Sequence, residues 1–231
     1  MQVAELWRFP VKSLRGESLA VAELSPDGVV GDRVIHVRRR DGVLTARTRH
    51  LLLSLTGSTS PQGQVLIDGR RWDHPSSVAA VRAAAGADAE LAHYTGPERF
   101  DVLPLLVATD GAIAALGRDS RRLRPNIVIS GVPGLDERSW PGQALRIGDV
   151  LIGIESLRAR CVTTTIHPDT GRQDLDVLRM IQRQFGGKIA LNCWVAAGGT
   201  IRVADRVELV DVLLSPPRRG GWILGAPYVV P

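Results

Sequence analysis

Cysteine is scarce in this chain of 231 residues: Cys161 and Cys193 are the two. Neither stands in a Cys-x-x-Cys pair, and His36, His50, His74, His93 and His167 show no paired spacing. A zinc site or iron–sulfur cluster held by the chain itself is not expected, because such sites need several closely placed ligands. Lysine is almost absent too. Lys12 and Lys188 are the two lysines, so nearly all of the 29 basic residues are arginines. Arginine offers a flat, bidentate fork to phosphate and carboxylate, which favours anionic ligands without choosing among them. Aromatic residues make up 4% and are not interleaved with the basic runs, so no nucleic-acid partner is expected. No uncharged run approaches the roughly 20 residues of a membrane span. Met1 to Pro10 carries Glu5 and Arg8 where a secretory signal would have an apolar core. The expectation is a cytoplasmic protein with no membrane association. A Gly-x-Ser-x-Gly nucleophile elbow and a phosphate-binding glycine loop are also missing.

What is present reads as a globular chain, with 44% hydrophobic and 23% charged residues and a formal charge of +5. The first seventy residues alternate as strands do, over Leu19 to Leu24, Gly28 to Val37 and Val43 to Thr48, with turns at Pro26-Asp27-Gly28 and Asp41-Gly42. Ser76 and Ser77 are candidate caps of an alanine-rich helix ending at Gly86, and Thr109 or Asp110 opens another ending at Gly117. Strands are expected over Arg124 to Ser130, Ala144 to Glu155 and Leu157 to Thr165. Leu175, Leu178, Ile181 and Phe185 then form one face of a helix that stops at Gly186-Gly187. Strands near Ile189 to Ala196 and Thr200 to Val210 complete the pattern. Short strands with few helices predict a mainly β fold with some α, an antiparallel β-barrel with attached helices. From Pro216 a Pro-Pro-Arg-Arg-Gly-Gly run breaks the pattern, and Trp222 to Pro231 reads as a docked tail.

The segment Arg158-Ala-Arg-Cys-Val-Thr-Thr-Thr-Ile-His-Pro-Asp-Thr-Gly171 is dense in hydroxyls. If extended, it puts Cys161, Thr163 and Thr165 on one side and Arg160 on the other. A single thiolate suits a redox-active metal whose other donors come from a cofactor, and a buried packing cysteine is the alternative. Cys193, in Leu-Asn-Cys-Trp-Val, reads as core. Pro10-Val-Lys-Ser13 is a turn able to grip a phosphate or simply a solvated hairpin tip. Gly31-Asp32-Arg33 adds a charged turn. Arg122 and Arg124 are placed to clamp an anion, and Asn126 to bond a heterocycle edge, unless the loop is merely solvated.

Taken together these pieces resemble one family. Phe9-Pro-Val-Lys-Ser-Leu-Arg-Gly16 and Gly31-Asp-Arg33 look like the N-terminal β-barrel half of MOSC proteins. Asp101 to Leu106 with Thr109, Arg122-Leu-Arg-Pro-Asn-Ile-Val-Ile129, Arg160-Cys-Val-Thr-Thr-Thr-Ile166, Pro168 to Gly171 and Ile201 to Val207 look like the MOSC domain. The resemblance implies an N-terminal β-rich half over 1–95, a cofactor-binding barrel over 96–212 and a tail over 213–231. It further implies a molybdenum cofactor (molybdopterin) with Cys161 as metal ligand, phosphate contacts from Lys12, Ser13 and Arg33, and pterin contacts from Arg124 and Asn126. Arg122, Arg160, Thr163 and Thr164 complete the expected cofactor-binding set. Two-part members include reductases of N-hydroxylated compounds such as amidoximes, and others resemble the C-terminal part of molybdenum-cofactor sulfurase. The implied activity is therefore reduction of N-hydroxylated or N-oxide substrates. Electrons would come from a separate ferredoxin, cytochrome or flavoprotein reductase, since the chain has no cluster or nucleotide motif of its own. The alternatives are a cofactor or sulfur carrier using Cys161, and a MOSC-fold binding module without catalysis. Thr163, Thr164 and His167 are the candidate proton donors. His167 stands where many relatives carry an acid, and Ala204 replaces a usual glycine.

Overall fold

The computed structural model describes residues 1–40, 42–96 and 99–215. The tail expected over 213–231 therefore falls outside the described residues from 216 onward, as does Asp41 of the expected turn. The chain is mainly β, with three α-helices among the described residues.

One eight-stranded sheet organises the molecule, in the order Glu208–Val210, Ala144–Ile147, Val150–Ala159, Lys188–Ala197, Leu105–Thr109, Ile127–Ser130, Gln2–Arg8, Glu17–Leu19. Its central strand, Lys188–Ala197, is buried on both faces. Leu191, Cys193 and Val195 enter the main apolar cluster, whereas Ile189 and Ala190 pack with the helices on the other side. The main cluster also takes Val3, Leu6, Ala22, Leu24 and Val29, so the first thirty residues pack with the second half of the chain. A second cluster, built on Val11, Leu14, Ile35, Val37, Leu52, Ile67 and Val81, lies under helix α1 (Pro75–Ala85).

The expected barrel is replaced by an open sheet. Isolated backbone bonds, Val3 N–H to the Asp205 carbonyl at 2.9 Å and Val207 N–H to the Met1 carbonyl at 2.9 Å, tie the residues before Glu208–Val210 to the start of Gln2–Arg8. The chain turns at 203–206, with Ala204 at φ +75°, so no regular ladder forms there. The expected strand Thr200 to Val210 is accordingly split into Gly199–Arg202 and Glu208–Val210.

The sheet is not wholly antiparallel either. Leu105–Thr109 and Ile127–Ser130 run parallel, joined over helix α2 (Asp110–Leu116). Thr109 caps α2 by accepting from Ala112 N–H at 3.2 Å, and Gly117 ends it at φ +60°. The α1 cap is His74, whose Nδ1 accepts from Ser76 N–H at 3.2 Å, rather than either serine. Helix α3 (Leu175–Phe185) is capped by Asp174 and stopped by Gly186. Its buried face is Val177, Ile181 and Phe185, each contributing about 1.5–3 kcal/mol of apolar burial, while Leu175 is 48% exposed. The register is thus one position away from the expected face at its start.

Candidate active-site cavity

The crossover that leaves α2 brings Arg122, Arg124 and Asn126 to one end of the sheet, where strand Val150–Ala159 also finishes. Cys161 follows two residues later in extended backbone and opens a single 3-10 turn, Val162–Thr165. The expected extended run to Thr165 fails for a local reason. The hydroxyls of Thr164 and Thr165 donate back to the carbonyls of Cys161 and Val162 at 2.9 and 2.6 Å, and such bonds compete with a strand ladder.

A cavity of about 620 Å³ opens at this end. Lys12, Ser13, Arg33, Arg124, Asn126, Arg160, Cys161 and Thr163 all line it, so eight expected site residues converge from segments far apart in the chain. Arg122 and Thr164 do not reach it. Both are buried behind the wall, where Arg122 Nη1 donates to the Thr164 carbonyl at 3.1 Å and steadies the turn. His167 is also absent from the lining; its Nδ1 accepts from the backbone N–H groups of Asp169 and Thr170 at 3.2 and 3.3 Å.

Three further residues carry the electrostatics of the cavity. Asp101 belongs to a motif of the family resemblance that carries no expected role, and the sequence points to none for Arg47 or Arg158. Lys12 Nζ donates to Asp101 at 2.7 Å and to the Arg99 carbonyl at 2.8 Å, while Arg47 and Arg158 reach Asp101 at 2.8 and 3.4 Å. Burial opposes ionisation of Asp101, but Lys12, Arg47 and Arg158 together hold it far below the usual carboxylate range. Lys12 is in turn lowered by burial, against the pull of Asp101. Arg158 also bonds the Asn192 side chain at 3.2 Å. Its place two residues before Arg160 is a legible signal; Arg47 has none, because its partners are distant in sequence.

The lining holds six cations, Lys12, Arg33, Arg47, Arg124, Arg158 and Arg160, against two carboxylates, Asp101 and Glu155. Asp32, paired with Arg33 from behind, offsets one more. Together these described groups carry a net charge of +3. Burial and the charge of Arg33 bring the Arg124 guanidinium down to about 9, and burial with Arg158 brings Arg160 to about 10. Nε and Nη1 of Arg160 are buried without a hydrogen-bond partner among the described residues. Vacant buried donors and mutually repelling cations are relieved by an anion. Ser13, Arg33 and Arg124 adopt φ of +73°, +53° and +56°, a left-handed backbone that costs a non-glycine residue about 1–2 kcal/mol. Such strain gathers where geometry serves a site.

Cys161 Sγ lies 3.1 Å from Thr163 Oγ1. Burial pushes its thiol up, but hydrogen bonds from Thr163 together with the charge and hydrogen bond of Arg47 outweigh that and lower it. Cys193, wholly buried, is pushed up by desolvation and stays in the core as expected. Asn126 is committed to the fold: its Oδ1 accepts from Leu106 N–H at 3.1 Å and its Nδ2 donates to Asp32 at 3.3 Å.

Residues 1–100 match the family model of the MOSC N-terminal beta barrel domain, and residues 110–208 match that of the MOSC domain. The chain is a MOSC protein. It is 28% identical to human mitochondrial amidoxime-reducing component 1, a similarity covering 90% of this chain and 82% of that protein. A more local similarity, 32% identity over 36% of this chain, relates it to 10% of the molybdenum cofactor sulfurase of Bombyx mori. Among solved structures, the YuaD protein of Bacillus subtilis aligns over 90% of this chain and 94% of its own, with 13% identity and a TM-score of 0.47. The MOSC cavity therefore draws on both matched regions, with Lys12, Ser13 and Arg33 from the first and Arg124, Arg160 and Cys161 from the second.

Proposed function

We propose that this MOSC chain holds a molybdenum cofactor in the cation-lined cavity and reduces N-hydroxylated or N-oxide compounds with electrons from a separate protein. The observation that carries the reading is a buried excess of positive charge with vacant Arg160 donors, beside a thiol of lowered pKa. Cys161 would bind the metal as thiolate, since a single soft ligand suffices when the cofactor supplies the remaining donors. Arg33, Arg124 and Arg160, with the Ser13 hydroxyl, would hold the anionic tail. Lys12, engaged by Asp101, acts mainly by fixing the network, and Asn126 by orienting Asp32.

The bound cofactor supplies the two-electron chemistry, while the chain supplies anchorage and orientation. The substrate loses its N–O bond, takes up two electrons and two protons, and water leaves. Thr163 is the hydroxyl beside Cys161 on the cavity wall and so the candidate to hold a proton there; Thr164 and His167 lie outside the lining. The electron donor would be a ferredoxin, cytochrome or flavoprotein reductase, and the setting cytoplasmic. No helix among the described residues is long and apolar enough to cross a membrane. The division near residue 95 is retained as a proposed sequence boundary.

Protein produced with cofactor supply is expected to carry about one molybdenum per chain, since Cys161 would be its single protein ligand. Cys161→Ala should lose both the metal and benzamidoxime reduction. Full metal retention and activity in that variant would refute the ligand assignment. The local similarity to a cofactor sulfurase favours a second reading, a sulfur carrier. Persulfide on Cys161, with molybdenum never copurifying, would favour it.

A further inference from the structure

A second cavity, of about 80 Å³, adjoins the first and shares Arg124 and Thr163 with it as a common wall. Its floor is apolar, built from Trp7, Phe9, Leu53 and Ile166. Gly16 keeps that floor in place, because a Cβ there would come within 2.5 Å of the Phe9 ring. The rim is cationic, with Arg15, Arg121, Arg122 and Arg124 and no carboxylate among the described lining residues.

The four arginines are not equivalent. Arg121 is neutralised by Asp119 and Asp169, each at 2.7 Å. Arg122 bonds the Thr164 carbonyl, and Arg124 stacks over Phe9 with 4.3 Å from guanidinium carbon to ring centroid. Arg15 donates to the carbonyls of Ser54 and Pro168, and its Nε is buried with no hydrogen-bond partner among the described residues. Arg15, Arg122 and Arg124 thus make no ion pair among the described residues. An apolar floor under uncompensated guanidinium groups suits a flat apolar body bearing an anion and disfavours a cation.

We propose that this cavity is the recognition pocket of the site and selects small aryl N-hydroxylated compounds that carry a carboxylate over neutral or cationic ones. The proposal rests on the reductase reading above. At about 80 Å³ the pocket is smaller than the roughly 150 Å³ that encloses benzene, so it grips part of one ring and leaves the rest at the shared wall. One molecule can then set its ring on Phe9 and Leu53, its carboxylate near Arg15, and its N-hydroxyl group past Thr163 in the larger cavity. Reduction of an amidoxime by two electrons and two protons yields an amidine, which takes a further proton from solvent to become an amidinium cation. The same arginines repel that cationic end.

The test is calorimetric titration of the full chain, metal-free and cofactor-loaded, with 4-carboxybenzamidoxime, benzamidoxime and benzamidine. The carboxylated ligand should bind about tenfold tighter than benzamidoxime, as one added charge-assisted hydrogen bond implies, and benzamidine weakest. Arg15→Gln should abolish the preference with molybdenum content unchanged. Arg15 also ties two carbonyls, so folding is checked by thermal melting, and Trp7→Ala, which should weaken both amidoximes alike, is the second variant. Equal binding of the two amidoximes, a preference that survives in folded Arg15→Gln, or unchanged binding in Trp7→Ala would overturn the proposal. An Arg15-dependent preference in protein that never binds molybdenum would keep the pocket and sink the reductase reading. Molybdenum-dependent reduction without the preference would do the reverse.

Discussion

Asp101→Asn keeps the shape of the side chain that receives Lys12, Arg47 and Arg158 at 2.7, 2.8 and 3.4 Å, and removes its charge. Lys12 has only 6% of its side chain exposed, so the variant takes the Asp101 charge away from a buried ammonium that also faces two arginines. Breaking a fully buried pair costs about 3–5 kcal/mol; Asp101 is itself 28% exposed, and solvent screening brings the expected loss to about 2–4 kcal/mol. The pH dependence has a definite sign. The folded pKa of Asp101 lies below its unfolded value near 3.8, so its stabilisation is complete above about pH 4 and is lost as pH falls toward the folded value. The gap between wild type and variant should shrink by up to about 1.4 kcal/mol per pH unit below pH 4. At the other end, burial already holds Lys12 below 10.5, and loss of Asp101 lowers it further. The variant should therefore recover stability as pH rises toward 10, where Lys12 sheds its proton. Guanidinium unfolding at pH 3, 7 and 9.5 measures all three points. An unchanged midpoint at pH 7, or a gap that does not vary between pH 7 and pH 3, refutes Asp101 as the counter-ion of the cavity.

Cys161 should alkylate with iodoacetamide at a midpoint pH below the 9.0 of an ordinary thiol, and Arg47→Gln should move that midpoint up; mass spectrometry also reports Cys193, expected to stay unmodified until the chain unfolds. Glu137 is buried with Oε1 unpartnered among the described residues, and burial raises its folded pKa above 4.5. Stability should consequently fall as pH rises from 4.5 through the folded value, and Glu137→Gln should flatten that slope and add about 1 kcal/mol at pH 7 in denaturant titrations. Ala204 sits at φ +75°, so Ala204→Gly should stabilise by about 0.5–1 kcal/mol, relieved backbone strain outweighing the extra unfolded-state entropy. A lower unfolding midpoint in Ala204→Gly would contradict this account.

Much of the fold was legible because its signals are local. Thr109, Gly117 and the Gly186-Gly187 stop mark their helix ends through short-range hydrogen bonds and left-handed backbone, which do not depend on distant neighbours. The errors arose where local choices compete. Three consecutive threonines following Cys161 read as a strand, yet two of them bond back to the chain and close a turn. The cap of α1 is His74 and neither Ser76 nor Ser77, because the His74 imidazole takes the Ser76 N–H at the first turn. The barrel opened at 203–206, where a single residue of positive φ interrupts pairing.

The candidate site divides along the same line. Residue types and order raised Lys12, Ser13, Arg33, Arg124, Asn126 and Cys161 as candidates with bland alternatives, and the resemblance of the motifs to MOSC proteins gave them their expected roles and added Arg160 and Thr163. Which of the chosen residues face the larger cavity was decided by tertiary packing: Arg122 bonds the Thr164 carbonyl behind its wall and lines the smaller cavity instead. Packing also brought Arg47, Asp101 and Arg158 together from three distant segments to set the charge balance, and left Arg160 with vacant donors. Charge compensation is a property of what lies within a few ångströms in space, where burial strengthens every interaction, and the order of residues along the chain does not encode it.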